Sequence, residues 1–133
     1  AGRYTLLEQT SLDSFLPYCE ERKISVIIGG PYNTGILATG AVPGAYFDYA
    51  PARPEVLDRV SRIEAICRDH NVPLAAAALQ FPLHHPAVAS VIPGSRSVEE
   101  LRRNLDNMTV AIPDTLWAEL KHEGLMRADA PVP

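Results

Sequence analysis

The sequence predicts an α/β fold in which three parallel strands are joined by helical crossovers. Apolar residues make up 47% of the 133 residues and charged residues 21%, so the chain can bury a core. Short apolar, β-branched runs alternate with segments of helical spacing, and this alternation is typical of a parallel sheet. Three such strands could form a small open fold, or they could be three consecutive units of a barrel.

The first part of the chain predicts two strands, one helix and a long loop. Residues 3–7 are a short β-favouring run, and Thr10 or Ser11 can then cap a helix. Residues 24–28 are almost entirely apolar, which is typical of a strand buried on both faces. Residues 31–53 are rich in glycine, proline and aromatic residues and predict a long loop. The apolar face of the predicted helix consists of Leu12, Phe15, Leu16 and Cys19.

The middle of the chain predicts two helices and a strand. Pro54 suits the first turn of an amphipathic helix, since proline fixes a helical φ there. A wholly apolar helix over residues 74–81 should be buried and should end at Pro82. Residues 88–92 predict another buried strand, which Pro93 and Gly94 should end. The apolar side of the helix after Pro54 consists of Val56, Leu57, Val60, Ile63 and Cys67.

Two further helices are predicted after the last strand. Ser97 and Glu100 have the spacing of a capping box, which begins the first of them. Asp114 should cap the second helix, and Gly124 should end it. We expect two sets of apolar residues to face inward: Val98, Leu101, Leu105 and Met108 in the first helix, and Leu116, Trp117 and Leu120 in the second.

Two glycine-containing turns follow predicted strands, at the sheet edge where parallel α/β folds bind ligands. The first turn spans residues 29–35; its main-chain N–H groups could hold a phosphate, or it could simply end the strand. The second spans residues 94–97 and leads into a capped helix. There Arg96 and the helix N-terminus favour a phosphate site slightly over a solvated cation beside an ordinary cap.

Other classes of function find little support. The net charge of −4 argues against a nucleic-acid or anionic-membrane binder, and no apolar run approaches the ~20 residues that span a bilayer. His84 and His85 are adjacent and have no cysteine or carboxylate at a ligand spacing, so we expect them on the surface of a loop rather than at a metal site. Cys19 and Cys67 fall at apolar helical positions, which is typical of free buried thiols in a cytoplasmic protein.

The segment Ile92-Pro93-Gly94-Ser95-Arg96-Ser97, with its following helix, resembles the last strand and cofactor helix of the aldo-keto reductases. Residues 24–37 are similar to the seventh strand and its loop, residues 4–7 to the sixth strand, and residues 75–86 to the helix before strand eight. Within that family, the residues of segments 2–9 and 29–31 resemble most the bacterial aldose 1-dehydrogenase branch. The resemblance implies one partial domain over residues 1–133: strands six to eight, with their helices, of an incomplete (β/α)8 TIM barrel.

The resemblance also implies a binding site for NADP or NAD. The glycine turn and its continuation would line the pyrophosphate through Gly30, Pro31, Tyr32, Asn33, Gly35 and Leu37. The second turn would hold the 2′-phosphate or the adenosine ribose through Gly94, Ser95 and Arg96, with Glu100 and Asn104 at the adenine end. Some members carry arginine where this chain has Glu100, so NAD and NADP both stay open. The substrate mouth would be bordered by Tyr46, Phe47 and Tyr49.

The reaction that the resemblance implies is hydride transfer between a nicotinamide and a carbonyl or lactol carbon. The family's catalytic Asp, Tyr, Lys and His lie on strands one to four, so no residue of this chain is assigned a catalytic role. We therefore expect an inactive fragment, formed by truncation or proteolysis, of an enzyme that oxidises aldoses at C1 to lactones or reduces carbonyls. The alternatives are a non-catalytic nucleotide-binding module and a half-barrel that self-associates through its open strand edges.

Overall fold

A computed structural model describes all residues, 1–133, and contains six α-helices and four strands. A parallel pair of strands packs against the helices around one core of 30 buried apolar residues. The helices are α1 (Phe15–Glu21), α2 (Ile36–Thr39), α3 (Pro54–Asp69), α4 (Leu74–Gln80), α5 (Val98–Thr109) and α6 (Asp114–His122). The strands are β1 (Val26–Gly29), β2 (Tyr46–Phe47), β3 (Ala50–Pro51) and β4 (Val88–Ile92).

The parallel pair consists of β1 and β4, with Gly29 opposite Ile92. The first residue of the chain lies on the other side of β1. The amino group of Ala1 donates a hydrogen bond to the carbonyl of Ile27 (2.7 Å), and the N–H of Gly29 donates to the carbonyl of Ala1 (2.8 Å). Both strands therefore end at the same edge of the sheet, which places the loops that follow them side by side.

The strand predicted over residues 3–7 is wrong. These residues form no ladder, and side chains satisfy much of the main chain locally. The hydroxyl of Thr5 accepts the N–H groups of Leu7 (3.2 Å) and Glu8 (3.1 Å), and the Gln9 amide donates to the carbonyls of Thr5 (3.0 Å) and Leu6 (2.8 Å). These β-favouring residues are mostly buried, but no neighbouring strand pairs with them. They therefore form a turn rather than a strand.

The predictions that residues 24–28 and residues 88–92 form buried strands are also wrong. In β4, Val88 is buried, but Ala89, Ser90 and Ile92 are exposed. Val26 and Ile28 are buried, but the Ile27 side chain between them is 50% exposed, and Ile24 is exposed as well. The long loop predicted over residues 31–53 contains the short helix α2 and the β2–β3 hairpin. That segment therefore has more internal structure than its glycine and proline content suggests.

The helices after residue 53 match their predicted places more closely. Pro54 begins α3, and α4 ends one residue before the predicted end, at a 3-10 turn that includes Pro82. The predicted cap at Asp114 is wrong, because Asp114 is the first residue of α6 and makes no capping hydrogen bond. The predicted cap at Thr10 or Ser11 is wrong, because these residues lie in a separate 3-10 turn and α1 begins at Phe15, whose side chain is 45% exposed. None of the helices combines the length and apolar character that crossing a membrane requires.

The α5 helix reverses the orientation that its sequence predicts. Ser97 caps it as expected, accepting the N–H of Glu100 (3.1 Å). The predicted inner face is wrong, because all four of its apolar side chains are exposed and Asn104 is the one buried residue of the helix. Amphipathicity identified the apolar face correctly, but no other part of residues 1–133 covers it. The exposed face consists of Val98, Leu101, Leu105 and Met108.

Candidate functional site

A cleft of about 790 Å³ opens between the loop that follows β1 and the N-terminal half of α5. Its size falls within the range of small-molecule and cofactor sites, roughly 300–1,000 Å³. It lies where β1 and β4 both end, as expected for a ligand site in a parallel α/β fold. The side of the cleft formed by the β1 loop and α2 consists of Gly30, Pro31, Tyr32, Thr34, Gly35, Ala38 and Thr39, with Ala75 from α4.

The β1 loop bends through a run of left-handed backbone. Asn33, Thr34 and Gly35 have φ angles of 47°, 61° and 107°. Non-glycine residues rarely adopt positive φ, and such conformations tend to occur at functional sites. No heavy atom lies within 4 Å of the place where a Cβ on Gly35 would be, so its side of the backbone faces open space. The loop can thus bring its main chain close to a ligand.

A chain of hydrogen bonds connects the two sides of the cleft. The Tyr32 hydroxyl donates to Asn104 Oδ1 (2.7 Å), and the Asn104 amide donates to Ser95 Oγ (2.9 Å). Tyr32 and Asn104 are both buried, and burial raises the pKa of Tyr32, so the phenol stays protonated as a donor. The β1 loop, the β4 loop and α5 are therefore held in one arrangement.

The polar face of α5 forms the second side of the cleft, with Glu100, Arg103, Asn104 and Asn107. Ser95 and Arg96 approach it from the loop after β4. Two arginines and one glutamate give the cleft a positive excess, and anionic ligands favour a helix N-terminus of this kind.

A second cavity of about 440 Å³ lies beside the first, at the same end of β1. Its wall contains a polar cluster in which Arg3 donates to Glu8 Oε1 (2.7 Å) and to Asp48 Oδ1 (2.9 Å). Asn33 donates to the other oxygen of Glu8 (2.7 Å). Asp48 and Tyr49 form the turn of the β2–β3 hairpin, so the Arg3 ion pair fixes this turn over the cavity.

Most residues predicted to hold the cofactor line the first cleft. Asn33 does not, because its side chain turns to Glu8 in the second cavity. Leu37 does not either, since its side chain is fully buried in the core. Among the predicted substrate residues, Tyr49 lines the second cavity and is 88% exposed, whereas Tyr46 and Phe47 precede it on the hairpin outside that cavity.

Sequence reasoning missed several cleft residues, of which Arg103 and Asn107 carry the most polar character. Arg103 and Asn107 follow Glu100 by three and seven residues, so all three lie on the same face of α5. This spacing could have identified both residues once Glu100 was assigned to the site. Thr34 was included only as part of the turn over residues 29–35, and Thr39 was missed because the short helix α2 was predicted as loop.

His84, His85 and the two cysteines belong to the interior rather than to the cleft, so the prediction that the two histidines lie on a loop surface is wrong. His85 is buried beside Tyr4, with ring centroids 5.7 Å apart, and its Nδ1 accepts the N–H of Ala87 (3.1 Å). His84 packs edge-on against Trp117 at 5.4 Å. Cys19 and Cys67 are free and buried, as predicted, and burial raises the pKa of Cys67 to about 12.

The sequence also matches known proteins over nearly its whole length. The family model described as "Aldo/keto reductase family" matches residues 1–122. The chain belongs to the aldo/keto reductase family. Among curated aldo/keto reductase relatives, it is 46% identical over 126 residues to the pyridoxal 4-dehydrogenase of Microbacterium luteolum, and 41% identical over 127 residues to a D-threo-aldose 1-dehydrogenase of a Pseudomonas species. Each alignment covers 95% of this chain, but only 37% and 39% of the relative.

Solved aldo/keto reductase structures share the fold. The glycerol dehydrogenase of Gluconobacter oxydans superimposes with a TM-score of 0.72 at 18% identity, covering 98% of this chain and 42% of that one. The holo form of an aldo-keto reductase from Bacillus halodurans gives 0.68 at 22% identity, covering 96% and 42%. The described residues therefore form an α/β portion of the aldo/keto reductase TIM barrel, and this portion does not close a barrel.

Proposed function

We propose that this chain supplies the dinucleotide-binding part of an NAD(P)-dependent oxidoreductase. The observation that carries the proposal is the cleft at the ends of β1 and β4, because it combines a left-handed glycine loop with a helix N-terminus and two arginines. Phosphate groups bind main-chain N–H groups at such places, and arginine pairs with their oxygens.

The residues present fit such a cofactor. Arg96 and Arg103 would pair with phosphates, and the open backbone side at Gly35 leaves room for a pyrophosphate to approach. Ser95 and Asn104, joined by a hydrogen bond, would face the adenosine. The main-chain N–H groups of Ser95 and Ser97 donate no hydrogen bond within the chain, so they can serve a ligand.

The substrate is proposed to be a sugar or another carbonyl compound. A bound nicotinamide would accept or supply the hydride, and this chain would hold the dinucleotide in place and border the substrate through Tyr49 and the Arg3 cluster. Arg3, Glu8 and Asp48 offer polar groups suited to hydroxyls, in keeping with the aldose and pyridoxal in the names of the two relatives. The preferred reaction is oxidation of an aldose at C1 to the lactone.

The proposal assigns no catalytic role to any residue of the chain. We expect residues 1–133 to bind dinucleotide without turning substrate over, and the whole protein to carry out the hydride transfer. Two buried free thiols suit a protein of the cytoplasm.

The test compares two adjacent arginines on α5. Arg103 lines the cleft, whereas Arg102 is exposed and does not line it, so Arg103→Gln and Arg102→Gln make the same charge change. NADH and NADPH would each be titrated into the protein while ligand fluorescence is followed. Arg103→Gln should weaken binding about tenfold or more, since hydrogen bonds to charged groups contribute about 1.5–3 kcal/mol. Equal weakening by both variants, or no saturable binding to the unaltered chain, would contradict the proposal.

A further inference from the structure

The second cavity differs from the cleft beside it in the charge of its side chains. Its charged side chains are Arg3, Glu8 and Asp48, so carboxylates outnumber the guanidinium. In the cleft, by contrast, two arginines outnumber the one glutamate. A cavity lined by one sign of charge concentrates ligands of the opposite sign. The cleft therefore favours phosphates, and the second cavity does not.

Every cationic group in the wall of the second cavity already has a partner. The guanidinium of Arg3 donates to Glu8 Oε1 (2.7 Å) and to Asp48 Oδ1 (2.9 Å). The amino group of Ala1, which also lines the cavity, donates to the carbonyl of Ile27 (2.7 Å). An anionic ligand would have to break one of these contacts before it could pair with a cation.

The free polar group of the cavity is a carboxylate oxygen of Asp48. Both oxygens of Glu8 are occupied, since its Oε2 accepts the Asn33 amide (2.7 Å). Asp48 uses only Oδ1, and its Oδ2 accepts no hydrogen bond within the chain. The hairpin turn holds this carboxylate in place, because the next N–H, that of Tyr49, donates to Thr34 Oγ1 (3.4 Å). A hydroxyl group can donate to the free oxygen, whereas an anion cannot.

We propose that Asp48 selects uncharged, hydroxyl-bearing substrates over acidic or phosphorylated ones, an inference that rests on the sugar or carbonyl substrate proposed above. Asp48 acts in two ways: it keeps Arg3 paired, and it offers Oδ2 to a substrate hydroxyl. An acidic group on the substrate would lie beside a like charge and would find no free cation. Selectivity of this kind arises from repulsion of the wrong ligand as well as from attraction of the right one.

The experiment compares two sugars and two aspartates. D-galactose and D-galacturonate share one ring and differ in a hydroxymethyl group against a carboxylate. Asp48→Asn removes the charge and keeps an oxygen for Arg3, while Asp58→Asn makes the same change at an exposed position of α3 outside both cavities. Dissociation constants would be measured from the amide chemical shifts of Thr34 and Tyr49, in excess NADH at low ionic strength. NADH alone would be titrated into each protein first.

The unaltered chain should bind galactose about threefold or more tightly than galacturonate, since partly exposed charges change affinities by modest factors. Roughly 1 M salt should reduce this preference, because it shortens the range of charge repulsion to about 3 Å. Asp48→Asn should lower the ratio about threefold, chiefly by tightening galacturonate binding, and Asp58→Asn should leave it nearly unchanged.

Equal affinities for the two sugars in the unaltered chain, or the same change in both variants, would overturn the role of Asp48. Binding of NADH without binding of galactose would overturn this inference and leave the dinucleotide site standing. A preference for galactose that Asp48→Asn reduces, in a chain that does not bind NADH, would support the selectivity and contradict the proposed dinucleotide function.

Discussion

The hydrogen bond from Tyr32 to Asn104 holds the β1 loop against α5, and Tyr32→Phe removes it without changing the shape of the ring. The two residues are 9% and 8% exposed, so water cannot readily replace the lost hydroxyl. The Asn104 amide stays oriented by Ser95, which leaves its Oδ1 buried without a donor. An unsatisfied buried acceptor costs about 1–3 kcal/mol, and we expect the free energy of unfolding to fall by that amount.

Urea unfolding followed by circular dichroism measures this loss. Tyr18→Phe is the matched control, since Tyr18 is 53% exposed and its hydroxyl has no partner in the chain; its effect should stay within about 0.5 kcal/mol. A double-mutant cycle with Asn104→Ala should give a coupling energy of about 1 kcal/mol or more. If Tyr32→Phe were no more destabilising than Tyr18→Phe, or if the cycle were additive, the role given to this bond would be refuted.

Three further predictions concern the surface, the core and the cleft loop. We expect the chain to self-associate through the exposed apolar face of α5, so Leu101→Lys combined with Leu105→Lys should lower the mass found by analytical ultracentrifugation; an unchanged mass would contradict this. Burial lowers the pKa of His84 and His85 below the ordinary 6.5, so the unfolded chain binds more protons and stability should be lost as pH falls below that value. Urea midpoints measured at pH 7.5, 6.5 and 5.5, which span roughly one unit on either side of the ordinary histidine pKa, test this. A urea midpoint that does not change with pH would contradict it. Gly35→Ala should cost about 1–2 kcal/mol, because Gly35 has a φ of 107°; an unchanged urea midpoint would show that the loop relaxes.

The sequence predicts the helices after residue 53 well because their signals are local. Pro54 supplies a fixed φ at the first turn of α3, and Ser97 places its oxygen on the N–H of Glu100. The strand over residues 3–7 could not be judged in this way. Its residues are β-favouring and buried, but whether a strand forms depends on a hydrogen-bonding partner elsewhere, and Thr5 and Gln9 satisfy the main chain instead.

In the cleft, too, features set by neighbouring residues were predicted, whereas features set by tertiary packing were not. Turn residues and the capping box located both loops that line the cleft, and the family resemblance implied roles for them. Arg103 was missed because its place in the cleft depends on which face of α5 turns toward the β1 loop. The apolar face of α5 predicted the opposite orientation, since hydrophobic periodicity shows which residues seek cover but not where the cover lies.

The most direct test of the central claim is an amide chemical-shift map of the chain titrated with NADH. Binding in the cleft predicts saturable shifts confined to the segments that line it: the loop after β1 with α2, the loop after β4, the polar face of α5 and Ala75. His70 and Glu119, which pair at 2.7 Å between α3 and α6, lie outside the cleft and should not shift. Shifts centred on the α3–α6 pair, or no shifts at any NADH concentration, would contradict the assignment of this cleft to a dinucleotide.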